Sequence, residues 1–144
     1  MEYRMITVAD IERVIPLYID YYNGHEDGCW TRETVYKRIH QVLTREDSHC
    51  ILLEDGDAVL GFAMGYMEQY DDGMAYDLIE IVIERSKQNG GLGTAFMEEL
   101  ERQVKAKGAF LIQLDAVNDA AHERFYDRLG YKTCTNLVNK SKVL

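Results

Sequence analysis

The chain predicts an α/β fold, a mixed sheet with helices on its faces. Apolar runs of strand type interleave with stretches of helical periodicity, and a glycine-rich turn joins one strand-like run directly to a helical one. The order is strand, two helices, three strands, helix, strand, helix, two strands. At 144 residues one domain with a single core is expected, over residues 1–144.

Residues 2–7 read as a short strand. From Asp10 to Tyr22 the residues Ile11, Val14, Ile15, Tyr18 and Ile19 recur on one helical face. Residues 23–28 are polar and read as a loop, and Thr31 with Thr34 opens a second helix to about Arg45. His49–Glu54 and Ala58–Gln69 are strand-like and flank Asp55-Gly56-Asp57, a tight hairpin turn. Asp71-Asp72-Gly73 makes a further turn before Met74–Glu84, a run dense in β-branched residues that reads as a central strand. Leu92, Ala95, Phe96, Leu100 and Val104 mark the next helix, which Lys107-Gly108 ends. Phe110–Asp115 is another strand, Asn118 or Asp119 caps a helix to Leu129, and Gly130 breaks it. Two closing strands are expected near Tyr131–Thr135 and Leu137–Val143.

Between the central strand and its helix lies Gln88-Asn89-Gly90-Gly91-Leu92-Gly93-Thr94. Glycine permits positive φ and close approach to the main chain, while the following helix offers free N–H groups and a positive dipole end. Such a turn binds anions, naturally a phosphate or pyrophosphate. It lacks the Gly-Lys-Ser/Thr of the Walker loop, and Phe96 stands where a dinucleotide loop needs glycine, which argues against ATP and NAD.

Sixteen basic against twenty-five acidic residues give a net charge of −9, which disfavours nucleic acid and suits small cationic partners. No apolar run approaches the ~18 residues that span a bilayer, and the first residues do not begin a signal peptide, so no membrane association and a cytoplasmic location are expected. Cys29, Cys50 and Cys134 form no C-x-x-C pair; reduced thiols are expected, with no disulfide and no metal site.

Thirty residues beyond Gln88 comes a second cluster, with Asn118, Ala121, Tyr126, Gly130 and Tyr131. Together the two clusters closely resemble the GNAT superfamily of N-acetyltransferases, whose loop reads Gln/Arg-x-x-Gly-x-Gly/Ala and whose later segment reads Asn-x-x-Ala-x-x-x-Tyr-x-x-x-Gly-Phe/Tyr with small variations. Gln88, Gly91 and Gly93 match the first. The resemblance implies a largely antiparallel twisted sheet whose strands splay at an acetyl-CoA slot. It implies that the amides of Gln88 through Thr94 hold the CoA pyrophosphate, that Ile81, Val82 and Ile83 pair with the pantetheine arm, and that Asn118 contacts the cofactor from the far wall. Tyr126 matches the tyrosine that protonates the departing CoA thiolate. Two departures stand out: Asn89-Gly90 reverses the usual glycine-then-basic order, and Gln88 replaces a cation, a loss that Lys87 could offset.

An acceptor amine must lose a proton before it attacks, so a carboxylate or carboxylate-bound water near the thioester is required. Asp77 and Glu80 are the candidates. Regular alternation places Asp77 with Ile79 and Ile81 on one face and Glu80 with Leu78 and Val82 on the other, so both reach one point only if a bulge intervenes. The segment with Tyr21, Tyr22, His25, Glu26, Asp27 and Trp30 is where the resembled family forms its acceptor pocket; Tyr22, Glu26 and Trp30 are the expected contacts for a cationic amine. His25 and Cys29 suggest a metal only by spacing, and His40, His49 and His122 carry no motif. The function expected is direct acetyl transfer from acetyl-CoA to a primary amine, with CoA as product and no covalent enzyme intermediate. The acceptor is a small cationic amine or a peptide amine, and a non-catalytic acyl-CoA-binding module is the alternative. Exposed sheet edges and terminal strands allow a homodimer.

Overall fold

In the computed structural model, which describes all 144 residues, five strands form one sheet in the order β1-β2-β3-β4-β5. They are β1 (Glu2–Met5), β2 (Ile51–Asp55), β3 (Ala58–Gln69), β4 (Met74–Ile83) and β5 (Ala109–Leu114). The first four pair antiparallel; β4 and β5 pair parallel, as a strand–helix–strand crossover requires. Helices α1 (Ile11–His25) and α2 (Arg32–Leu43) cover one face, and α3 (Leu92–Ala106) with α4 (Ala120–Arg128) covers the other.

Each face has its own core. Ile11, Val14, Ile15 and Tyr18 of α1 and Val35 and Ile39 of α2 pack on Leu52, Phe62, Met64 and Val82. Phe96, Met97, Leu100 and Val104 of α3 pack on Ile51, Leu53, Ala63, Tyr76 and Leu78. Because strand side chains alternate, one apolar β2–β4 sheet supplies both. At the β1 edge, Arg4 donates to Asp10 Oδ1 (2.8 Å) and Glu54 Oε1 (2.9 Å), tying the first strand to the start of α1. These bonds, with Thr7, hold the Asp10 carboxyl below the usual carboxylate range.

Three features differ notably from the sequence expectation. Helix α1 runs on through Asn23-Gly24-His25, because the following loop folds back to satisfy it: Asn23 exchanges hydrogen bonds with the Trp30 main chain, and Gly28 N–H donates to Tyr22 O. The hairpin is tighter than read, with Gly56 and Asp57 alone joining β2 to β3 and Gly56 at φ 59°. Of the two residues expected to cap α4, Asp119 does so, its side chain accepting from His122 N–H.

The third difference is a correction. The two closing strands do not form, and β5 is left as an open edge. Tyr131 anchors its segment on the helices instead: its N–H donates to Tyr126 O and its hydroxyl to Glu101 of α3 at 2.9 Å. Beyond it, Leu137 and Val138 are adjacent rather than alternating and are flanked by Lys132, Asn136, Asn139, Lys140 and Lys142, so neither face of a strand there would be apolar.

Candidate active site

β4 pairs with β5 only as far as Leu78 against Leu114. From Ile79 to Ile83, β4 continues with β3 on one side and no strand on the other, so the sheet splits there. A cavity occupies the split. Residues 78–81 of β4 and 114–117 after β5 form its walls, Tyr21, Tyr22 and Glu26 reach it from α1, and His122 and Tyr126 reach it from α4.

The β4 wall is not regular. Met64 pairs with Glu80 but its neighbour Gly65 pairs with Leu78, so Ile79 is an extra residue, a β-bulge. Its consequence corrects the expected alternation. Asp77 faces with Tyr66 and Glu80 with Met64, two positions on one face of β3, so both carboxylates lie on the α1–α2 face. Gly65 makes this possible: a Cβ there would collide with the Asp77 carbonyl and come within 2.6 Å of the Tyr76 hydroxyl.

Only Glu80 reaches the cavity. Its side chain is 10% exposed, and its carboxylate accepts from Tyr18 Oη (3.1 Å), from Arg38 (2.9 Å) and from Tyr22 Oη. Tyr18 and Tyr22 are one turn apart on α1 and reach it together. Burial, then the Glu80 charge, pushes both phenols well above the usual tyrosine range, so they remain donors. Asp77 lies farther along, accepting from Gln113 of β5. Trp30 packs edge-on against Tyr18, 5.2 Å between ring centres, rather than lining the cavity.

Tyr126 lies across the split from Glu80. Burial, with a smaller push from Tyr21, raises its phenol to about 12, which keeps the proton on oxygen at neutral pH. Gly93 lets α3 and α4 approach here, since a Cβ on it would press on Phe125 at 3.2 Å.

At the mouth of the split the chain leaves β4 through a 3₁₀ turn, Arg85–Lys87, and enters the glycine turn. Asn89 and Gly91 take φ values of 64° and 83°, and the Gln88 amide group donates to Ile83 O at 3.0 Å, so Gln88 shapes the turn with its side chain. The main-chain N–H groups from Asn89 through Thr94 donate to no group of the chain. Six unpaired donors, running from the turn into the first residues of the fifteen-residue α3, are available to an anion. Arg85 folds the other way, donating to His25 Nε2 (2.6 Å) across the end of α1.

The acetyltransferase (GNAT) family model matches residues 11–131, most of the chain. The chain belongs to the acetyltransferase (GNAT) family. Its fold matches solved structures of that kind at low sequence identity. One is a possible acetyltransferase from Clostridium difficile 630 (TM-score 0.84, 14% identity, 99% of this chain and 97% of that one). An aminoglycoside acetyltransferase from an uncultured soil metagenomic sample, in complex with sisomicin, gives 0.76 at 13% identity over 99% and 95%. Glucosamine-6-phosphate N-acetyltransferase from Arabidopsis thaliana gives 0.72 at 18% over 97% of each. No curated protein matches the chain by sequence.

Sequence reasoning passed over Tyr18, Arg38 and the pair Asp119–His122. The first two are visible only across elements. The last had a local signal, an Asp-x-x-His at a helix cap one turn before Tyr126. The family's Asn-to-Tyr interval of seven also falls on Asp119, whereas Asn118 is eight residues from Tyr126 and carries no hydrogen bond from its side chain.

Proposed function

We propose that this protein is an acetyl-CoA-dependent N-acetyltransferase acting on a small cationic amine. What carries the proposal is one stretch of backbone: six consecutive unpaired N–H groups, Asn89–Thr94, at the end of the strand along which the sheet splits. The residues present fit the cofactor. The glycine turn suits a diphosphate, and the open side of Ile81, Val82 and Ile83 offers main-chain groups to an amide-bearing arm. When bound there, acetyl-CoA would supply an acyl group on a thiol leaving group.

The chain's own residues account for the rest. Tyr126 holds a proton on its phenol oxygen and would give it to the departing sulfur. Glu26 makes the α1 side of the cavity anionic, and Glu80, its charge matched by Arg38 and its direction fixed by Tyr18 and Tyr22, adds a positioned acceptor, so that an ammonium group would be drawn in and oriented beside aromatic walls. Asp77, bound to Gln113 and away from the cavity, takes no part in this scheme. Trp30 supports it indirectly, by packing on Tyr18. The bound aminoglycoside of one structural neighbour is itself a polycationic amine, in keeping with this acceptor class. With no helix long and apolar enough to cross a membrane, a role in the cytoplasm is consistent, and the open β5 edge, with Phe110 and Leu111 exposed, is where a second copy would pair.

The test is thiol release from acetyl-CoA against a panel of polyamines, aminoglycosides, amino sugars and peptides. Turnover with a cationic small amine is expected. CoA binding without turnover on any amine would leave a binding module and refute the enzyme.

A further inference from the structure

Granted the acetyltransferase function proposed above, the structure must also provide a proton acceptor for the amine, and Glu80 is poorly free to be it. Two phenols and a guanidinium already donate to its carboxylate. The geometry points to His122 as the general base, with Asp119 as its positioning residue.

His122 lines the cavity from the first turn of α4, one turn before Tyr126, so the two side chains share a helix face and border the same space. Its Nδ1 lies 2.8 Å from Asp119 Oδ1, the same oxygen that accepts the His122 main-chain N–H. Those two bonds, backbone first, hold the Asp119 carboxyl below the usual range. A carboxylate can only accept, so Nδ1 carries the hydrogen, and in the neutral ring the lone pair is on Nε2. No group of the chain hydrogen-bonds to Nε2. An orienting carboxylate, a fixed tautomer and a free basic nitrogen at a cavity wall are the parts that a general base needs.

The other ionisable groups around it are distributed as follows. Tyr21, Tyr22 and Glu26 face it from α1, Glu80 from β4, Asp115 from the segment after β5, and Tyr126 from its own helix. Glu26 and Asp115 are exposed, and neither has a side-chain partner fixing its direction.

The proton accounting closes. His122 Nε2 takes one proton from the ammonium, and the freed lone pair forms the new C–N bond as the C–S bond breaks. Tyr126 gives its phenolic proton to sulfur and regains one from the nitrogen as the amide forms. His122 then discharges to solvent, for a net release of one proton per transfer.

The experiment compares His122→Gln, His122→Ala and Asp119→Asn with the unaltered protein. The readouts are kcat/KM for the best amine across pH at saturating acetyl-CoA, and CoA affinity by calorimetry. His122→Gln should lower kcat/KM about 100-fold and abolish the acid limb of the profile, with CoA affinity kept. His122→Ala should regain activity with added imidazole. Asp119→Asn still caps the helix and still accepts from Nδ1 but lacks the charge, so its acid limb should move to lower pH. An intact acid limb in His122→Gln, or a loss of CoA affinity that explains its defect, would overturn the assignment while leaving the acetyltransferase standing. Absence of amine-dependent thiol release in the unaltered protein would overturn both.

Discussion

Tyr126 and Glu80 line one cavity, and the proposed mechanism gives them opposite duties, a proton donor and an electrostatic anchor. Tyr126 is half-buried without an ion partner, so desolvation, with a smaller push from Tyr21, raises its phenol and favours the protonated form, as a donor to a leaving group would require. Glu80 is buried with three donors, so its charge is matched and its direction fixed, as an electrostatic anchor requires. Replacing Tyr126 with Phe should lower kcat at least tenfold and leave the CoA dissociation constant within about twofold, measured by stopped thiol release and calorimetry. Unchanged kcat would remove Tyr126 from the chemistry. Tyr126 could be found in the sequence because its place relative to Gly130 and Tyr131 is a local pattern. Tyr18 could not, because a position on the apolar face of a helix reads as core until the strand opposite it is known, and Arg38 could not, because a lone cation on a helix reads as solvated until its partner on another element is known.

The glycine turn, α3 and α4 were readable in advance because each is written in neighbouring residues: a cap, a period, a closing glycine. The bulge at Ile79 was not, since register belongs to two strands at once and only Gly65, fourteen residues away, betrays it. That pairing makes a test of its own. A methyl group at Gly65 has no room beside the Asp77 carbonyl, so Gly65→Ala should cost about 2–3 kcal/mol in urea unfolding and disturb the aim of Glu80. A variant as stable as the parent would show that the bulge tolerates a side chain. The closing strands fail for the converse reason: β-branched and apolar residues near the C-terminus suggest strands, yet their order gives no single apolar face, and Tyr131 is anchored on Glu101 instead.

At the scale of the whole molecule, the sheet is continuous from β1 to β4 and parts between β4 and β5, so that an open strand and the side chains of His122 and Tyr126 border one cleft, and the start of α3 follows the end of that strand. Part of the net charge of −9 falls at that cleft, where Glu26 and Asp115 line it without a cationic partner and Glu80 is paired with Arg38. All of it depends on the turn at Asn89–Thr94 being the seat of a diphosphate. Titrating CoA into isotope-labelled protein and following each amide by NMR tests this directly. The largest shifts should fall on Asn89 through Thr94, with a second group along Ile81–Ile83. Shifts centred elsewhere, with those amides unmoved, would contradict the account.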